Sequence, residues 1–223
     1  MHQLTAGLVA DRDPAQPLLT YLSGPARIEL SGATTANWVC KTANLLVDGY
    51  DSPDRVGLLL PLHWITPCLL LGAVAAGSTV VLATCPDQLA GCRIAFTTVD
   101  TAEAALAAGV EDVLACSLTP FATRLPELPS MVLDAAVEIP MYGDHFGGRP
   151  DSARLERNGT AVAVPALQLA PTDRVLVSDL VTLLGVLRAG AAAVLLLEGD
   201  REAALRQERV TVALDSIEDG STA

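Results

Sequence analysis

One strand–helix–strand unit occurs twice in this chain. Residues 70–82 read LLGAVAAGSTVVL and residues 183–195 read LLGVLRAGAAAVL, with glycines at matching places. An Asp-Arg-Val triplet precedes each and opens a short apolar run. Asp54-Arg55-Val56 leads into GLLLPL, and Asp173-Arg174-Val175 leads into LVSDL. A buried strand, a helix closed by a glycine able to take a left-handed cap, and a second apolar strand form a parallel crossover unit. Two such units constrain the chain to an α/β fold: pseudo-symmetric halves sharing a largely parallel, layered sheet.

The rest of the chain fits that frame. Its 223 residues are enough for one large domain or two small ones. Apolar residues make up 51% and aromatics only 4%, so Ala, Val and Leu build the core. The net charge of −12 repels phosphate backbones, so nucleic acid is excluded as a non-specific partner. Cys40, Cys68, Cys85, Cys92 and Cys116 lack metal or redox spacing and read as reduced thiols of a cytoplasmic protein. From Val56 to Pro86 there is no charged residue, a length that would suit a membrane span. Pro61, Pro67, Gly72 and Gly77 break it into strand, helix and strand, so no membrane span is expected. The N-terminus carries no pattern of a secretory leader.

Along the chain, PLLTYLSGPARIELSG predicts two strands around a Ser-Gly-Pro turn. Ser31 or Thr34 then caps a helix over roughly 34–47. Strands follow at 55–60, at VVLAT, at IAFTT and at DVLACSL, with helices at 64–76 and in TAEAALAAG. Residues 118–150 are rich in Pro, Gly and polar side chains and read as a surface excursion. A strand is expected at TAVAV, then the second unit, a helix in EAALRQE and a strand in RVTVAL. These readings divide the chain into a first α/β subdomain, 1–140, a smaller second unit, 141–214, and a disordered tail, 215–223.

The segment LLTYLSG…ARIELSGATTANWVCKTANLLVDGYDSPDRVGLLLPLHWITPCLLLGAVAAGSTVVLA resembles the opening of adenylate-forming enzymes, the AMP-binding group that includes acyl-CoA synthetases. TDRVLVSDLVTLLGVLRAGAAAVLLL is similar to a later Asp-Arg-Val strand and glycine-containing helix of that group. More narrowly, the chain resembles a short actinobacterial protein family distantly similar to AMP-binding enzymes. The resemblance covers most of residues 17–200 and implies the scaffold of the enzymes' large domain.

The departures carry as much weight. The resemblance implies a Ser/Thr/Gly-rich phosphate loop ending in Pro-Lys, but the corresponding stretch is SARLERNGTAVAVPAL. Only Asn158-Gly159-Thr160 is suggestive there, and it reads as a plain turn. The sole lysine, Lys41, lies on an early helix. A Pro-Leu-Phe-His motif is replaced by Leu180-Val181-Thr182-Leu183. The adenine motif, the ribose-binding aspartate and the catalytic lysine of a C-terminal lid find no counterpart, so no cofactor is expected.

Five residues remain as crevice candidates. His63 follows the first buried strand, where ligands of parallel sheets collect; its duller role is that of a hydrogen-bonded strand-end residue. Ser178 and Asp179 hold the matching place in the second unit, and Asp179 also suits a helix N-cap. Asp144 and His145, in Tyr142–Gly148, join a carboxylate and an imidazole among glycines, a polar loop that could orient an imidazole. No catalytic or metal-binding residue is assigned. The expectation is a non-catalytic relative of adenylate-forming enzymes that binds a small ligand, a protein partner or a second copy of itself. The alternative is a divergent nucleotide- or acyl-binding enzyme working from the loops after the strands.

Overall fold

The computed structural model describes residues 13–147 and 154–214. β1 (Pro17–Ser23) and β2 (Ala26–Ser31) form the expected hairpin. Ser31 caps α1 (Gly32–Asn44), its Oγ accepting from the Thr34 amide at 3.2 Å. The helix does not run regularly to 47: Leu45–Gly49 widens into a π turn, where Gly49 leaves room for the Tyr142 hydroxyl.

β3 (Arg55–Leu59), α2 (Ile65–Ala75), β4 (Thr79–Leu82), β5 (Ile94–Thr97), α3 (Val99–Ala107) and β6 (Asp112–Ala115) give the alternation expected from the sequence. The excursion at 118–150 holds more than a linker. β7 (Val132–Asp134) pairs with β6, and α4 (Ala135–Glu138) follows at once. Three residues are too few to show alternation, and the strand is fixed by Asp134, which caps α4 and accepts from the Leu125 amide. The strand expected at TAVAV shrinks to β9 (Thr160–Ala161), paired with β8 (Arg154–Arg157). β8 reads RLER, too charged to announce a strand. β10 (Arg174–Val177), α5 (Leu180–Arg188), β11 (Ala192–Glu198), α6 (Arg201–Gln207) and β12 (Val212–Ala213) complete the chain. The expected tail and Gly148 lie outside the described residues.

Two sheets result, ordered β7-β6-β5-β3-β4-β8-β9 and β12-β10-β11-β1-β2. Every pair is parallel except the two hairpins, β1–β2 and β8–β9. The trios β5-β3-β4 and β12-β10-β11 share one register. Val56 pairs with Val80 and Ile94, as Val175 pairs with Ala193 and Val212. Each hairpin crosses over: β1–β2 precedes the first trio yet completes the sheet of the second, and β8–β9 does the reverse. Both sheets therefore contain residues from either side of position 140.

The arginine of each Asp-Arg-Val triplet reaches over one strand to the visiting hairpin. Arg55 pairs with Glu156 at 2.9 Å and Arg174 donates to Thr20 at 3.0 Å. These are matching rungs: Glu156 faces Val81, which faces Gly57, and Thr20 faces Val194, which faces Leu176. Glu208 adds a second tie, accepting from Arg27 at 2.7 Å and from Arg174 at 2.9 Å. Those hydrogen bonds, the Arg27 one above all, hold its carboxyl below the usual range against the cost of burial.

Every residue of α2 is buried, and one core cluster joins α1, α2 and α5 to both sheets. α1 crosses α2 at Gly72, where an added Cβ would lie 2.4 Å from Thr42 Cβ. At the matching Gly185, Pro165 of the extended stretch after β9 takes that place. Gly77 and Gly190 end α2 and α5 at φ +90 and +84, the left-handed caps expected of them. Among the described residues, no helix is long and apolar enough to cross a membrane.

Gly72→Ala should lower stability by about 2 kcal/mol despite its better helix propensity, because the helix pair must separate. Gly185→Ala should cost less, since it meets an extended segment rather than a packed helix. Urea denaturation of both variants checks the order.

Candidate functional site

A cavity of about 510 Å³ opens between the β8–β9 hairpin and the start of α5. Its polar lining is Arg157, Asn158 and Thr160 from the hairpin, and Asp179 and Thr182 from the helix. The hairpin turns in two residues. Arg157 pairs with Thr160, and Asn158 and Gly159 take φ +52 and +72, the conformation that favours Asn-Gly. The Asn158 side chain is tied outward, its Oδ1 accepting from Gln88 Nε2 at 2.6 Å. Gln88 Oε1 in turn accepts from the Thr84 amide at 2.7 Å.

Across the cavity, Asp179 caps α5. Its Oδ1 accepts from the amides of Val181 and Thr182, both at 2.9 Å. Its Oδ2 and the Thr182 hydroxyl are sealed from solvent without a hydrogen-bond partner. Buried polar atoms left this way are uncommon and costly. Ser178 stands beside Asp179 at the end of β10, with its residue surface exposed.

His63 lies elsewhere and is fully buried. Its ring stands edge-on to Tyr21 of β1 at 4.6 Å and beside Trp64 at 5.5 Å. Its Nδ1 accepts from the Ile65 amide at 3.3 Å, while Nε2 has no partner of ordinary hydrogen-bond geometry. Burial pushes its pKa down to about 4, opposed only in part by the nearby Thr119 backbone. Asp144 and His145 are exposed on a loop strapped to α1. Lys41 Nζ donates to the Pro140 and Tyr142 carbonyls at 3.2 and 2.6 Å, and Asn44 Nδ2 to those of Gly143 and His145 at 2.8 and 2.9 Å. The structure thus joins the Asn158 turn to Asp179 and leaves His63, Asp144 and His145 off that cavity's lining.

Arg157 and Thr182 were not singled out by the sequence. Thr182 stands three residues after a capping aspartate, a weak signal, and Arg157 became legible only once β8 paired. No group of three or more His, Cys, Asp or Glu able to hold a metal occurs among the described residues. Cys68, Cys92 and Cys116 are buried, Cys40 is half-buried and Cys85 is exposed. Burial pushes the Cys68 thiol up to about 12, which makes it a poor nucleophile.

No protein-family model matches the chain. The "TIGR03089 family protein" of Mycobacterium tuberculosis (strain ATCC 25618 / H37Rv) is 36% identical over 138 residues, 60% of this chain and 57% of that relative. A Brucella canis acyl-CoA synthetase superposes with a TM-score of 0.79 at 17% identity, over 96% of this chain and 47% of its own. The fold is that of the N-terminal part of adenylate-forming enzymes. ATP-bound MatB from Rhodopseudomonas palustris superposes with a TM-score of 0.68 at 19% identity, covering 95% of this chain and 48% of its own. The chain therefore spans about half the length of the proteins it matches.

Because folding depresses the His63 pKa, the neutral ring's contribution is full above the unfolded value near 6.5 and disappears as pH falls towards about 4. Roughly 3 kcal/mol of stability should be lost over that window. Urea denaturation of the parent and His63→Asn between pH 7 and 4 checks this: the variant should lack that part of the slope.

Proposed function

We propose that this protein is a ligand-binding member of the adenylate-forming fold that does not itself form adenylates. Its ligand occupies the cavity between the β8–β9 hairpin and α5. The two-residue Asn158-Gly159 turn carries this reading, because the sequence resemblance implies a phosphate loop in this stretch of the chain. A Ser/Thr/Gly-rich loop surrounds phosphates with amides and hydroxyls and adds a lysine. Here the turn has closed on itself, Asn158 is engaged by Gln88, and Lys41 is spent on the Pro140 and Tyr142 carbonyls. A carboxylate, Asp179, already neutralises the helix N-terminus that would otherwise favour an anion.

The similarity of the two strand trios supports a further part of the reading, an internal duplication whose second copy kept the open site. The solved neighbour with ATP bound raises the competing view, a divergent nucleotide binder. Pyrophosphate exchange separates the two. With Mg-ATP and a panel of carboxylic acids the protein should show no exchange above a blank, and ATP should leave its melting temperature unchanged. Exchange with any acid would overturn the proposal. An AMP-induced shift would favour the nucleotide reading instead.

A further inference from the structure

The cavity is bounded by a strand edge rather than by a strand face. Side chains of a strand alternate between its two faces, yet four successive residues, Thr160, Ala161, Val162 and Ala163, line this space. Of β8 only Arg157, beside the turn, reaches it, so the cavity lies on the side of β9 away from β8. β9 ends its sheet, and among the described residues no strand pairs with that side. The Val162 amide donates back to the Leu155 carbonyl at 2.8 Å. Antiparallel pairs alternate between bonded and unbonded, so Ala161 and Ala163 point their N–H and C=O groups outward, towards the cavity. Both residues are exposed. At the far end of the other sheet, Arg27 and Glu29 blunt the edge of β2, whereas residues 160–163 carry no charged side chain.

Resting on the reading of this cavity as the ligand site, we infer that it takes an extended peptide segment, added to the sheet as a strand beside β9. Ala161 and Ala163 each offer an outward donor and an outward acceptor, the pattern by which a sheet edge recognises a peptide backbone. Pro165, which has no N–H, ends that edge. Four residues of edge match a ligand strand of the same length, roughly 13 Å. Pro165 and Val181, where the extended stretch meets α5, give apolar contact to alternate side chains of the added strand. The sealed oxygens of Asp179 and Thr182 take no part. Two copies of this chain, each with a net charge of −12, repel one another, so the segment is a neutral or basic one and not a second copy.

Titration calorimetry and amide hydrogen exchange with the blocked peptide acetyl-Lys-Val-Thr-Val-Lys-amide test the inference. At about ten times its dissociation constant the peptide should slow exchange at the Ala161 and Ala163 amides by roughly tenfold. The same peptide with its backbone nitrogens methylated should not bind, and an analogue with Glu in place of Lys should bind more weakly. Ala161→Pro deletes an outward donor alone, a change that edge strands tolerate, and Ala163→Pro does the same one bonded pair further on. Each should keep the parent melting temperature and lose most of the peptide affinity. No peptide binding, binding that leaves the two amides unprotected, or affinity indifferent to both variants would overturn the inference. So would protection that rises with protein concentration rather than with peptide, which would place a second copy at the edge. Pyrophosphate exchange is measured separately, and a small molecule that binds the cavity without protecting these amides would end this inference while leaving the ligand site standing.

Discussion

The exchange of hairpins between the two sheets is the constraint on which the rest of this structure depends. β1 pairs in parallel with β11, and β8 with β4, so each sheet is completed by a hairpin from the other unit. Leu18, Leu19, Thr20 and Tyr21 are buried in consequence, on both faces of their sheet. A unit without its visitor would present an open strand edge and an uncovered apolar face. The Asp-Arg-Val arginines act at that junction. Their partners, Glu156 and Thr20, stand on matching rungs of the two visiting strands.

The same exchange positions the cavity. Each visiting hairpin ends beside the loop that leads into the central helix of the opposite sheet. One such loop is long and carries His63 and Trp64, which seal the space against Tyr21. The other is reduced to Ser178 and Asp179 and leaves the space open. In a chain with so few aromatic residues, Tyr21, Trp38 and Trp64 gather in the closed half. Closure is therefore a matter of loop length and of where the rings fall, on one backbone plan.

Much of this plan was legible in the sequence because it is written in strong local signals. Repeated glycines marked two helix caps, and unbroken apolar runs marked strands buried on both faces. Ser31 and Asp179 announced the starts of their helices. Pairing of distant segments left no such trace. RLER becomes β8 because Glu156 meets Arg55, and VLD becomes β7 because β6 offers an edge; neither shows alternation by itself. The crossing of the hairpins leaves no local trace in the sequence for the same reason. Of the candidate residues, Asp179 lines the cavity, whereas the aromatic neighbours that bury His63 come from positions far apart in the chain.

Hydrogen–deuterium exchange tests the interlocking most directly. If the hairpin exchange governs the fold, the slowest amides of β1, β8, α2, β10 and β11 should share a single opening free energy, equal to that of global unfolding. Slow exchange confined to β3–β7, with β10–β12 opening at distinctly lower free energy as a separate body, would contradict it.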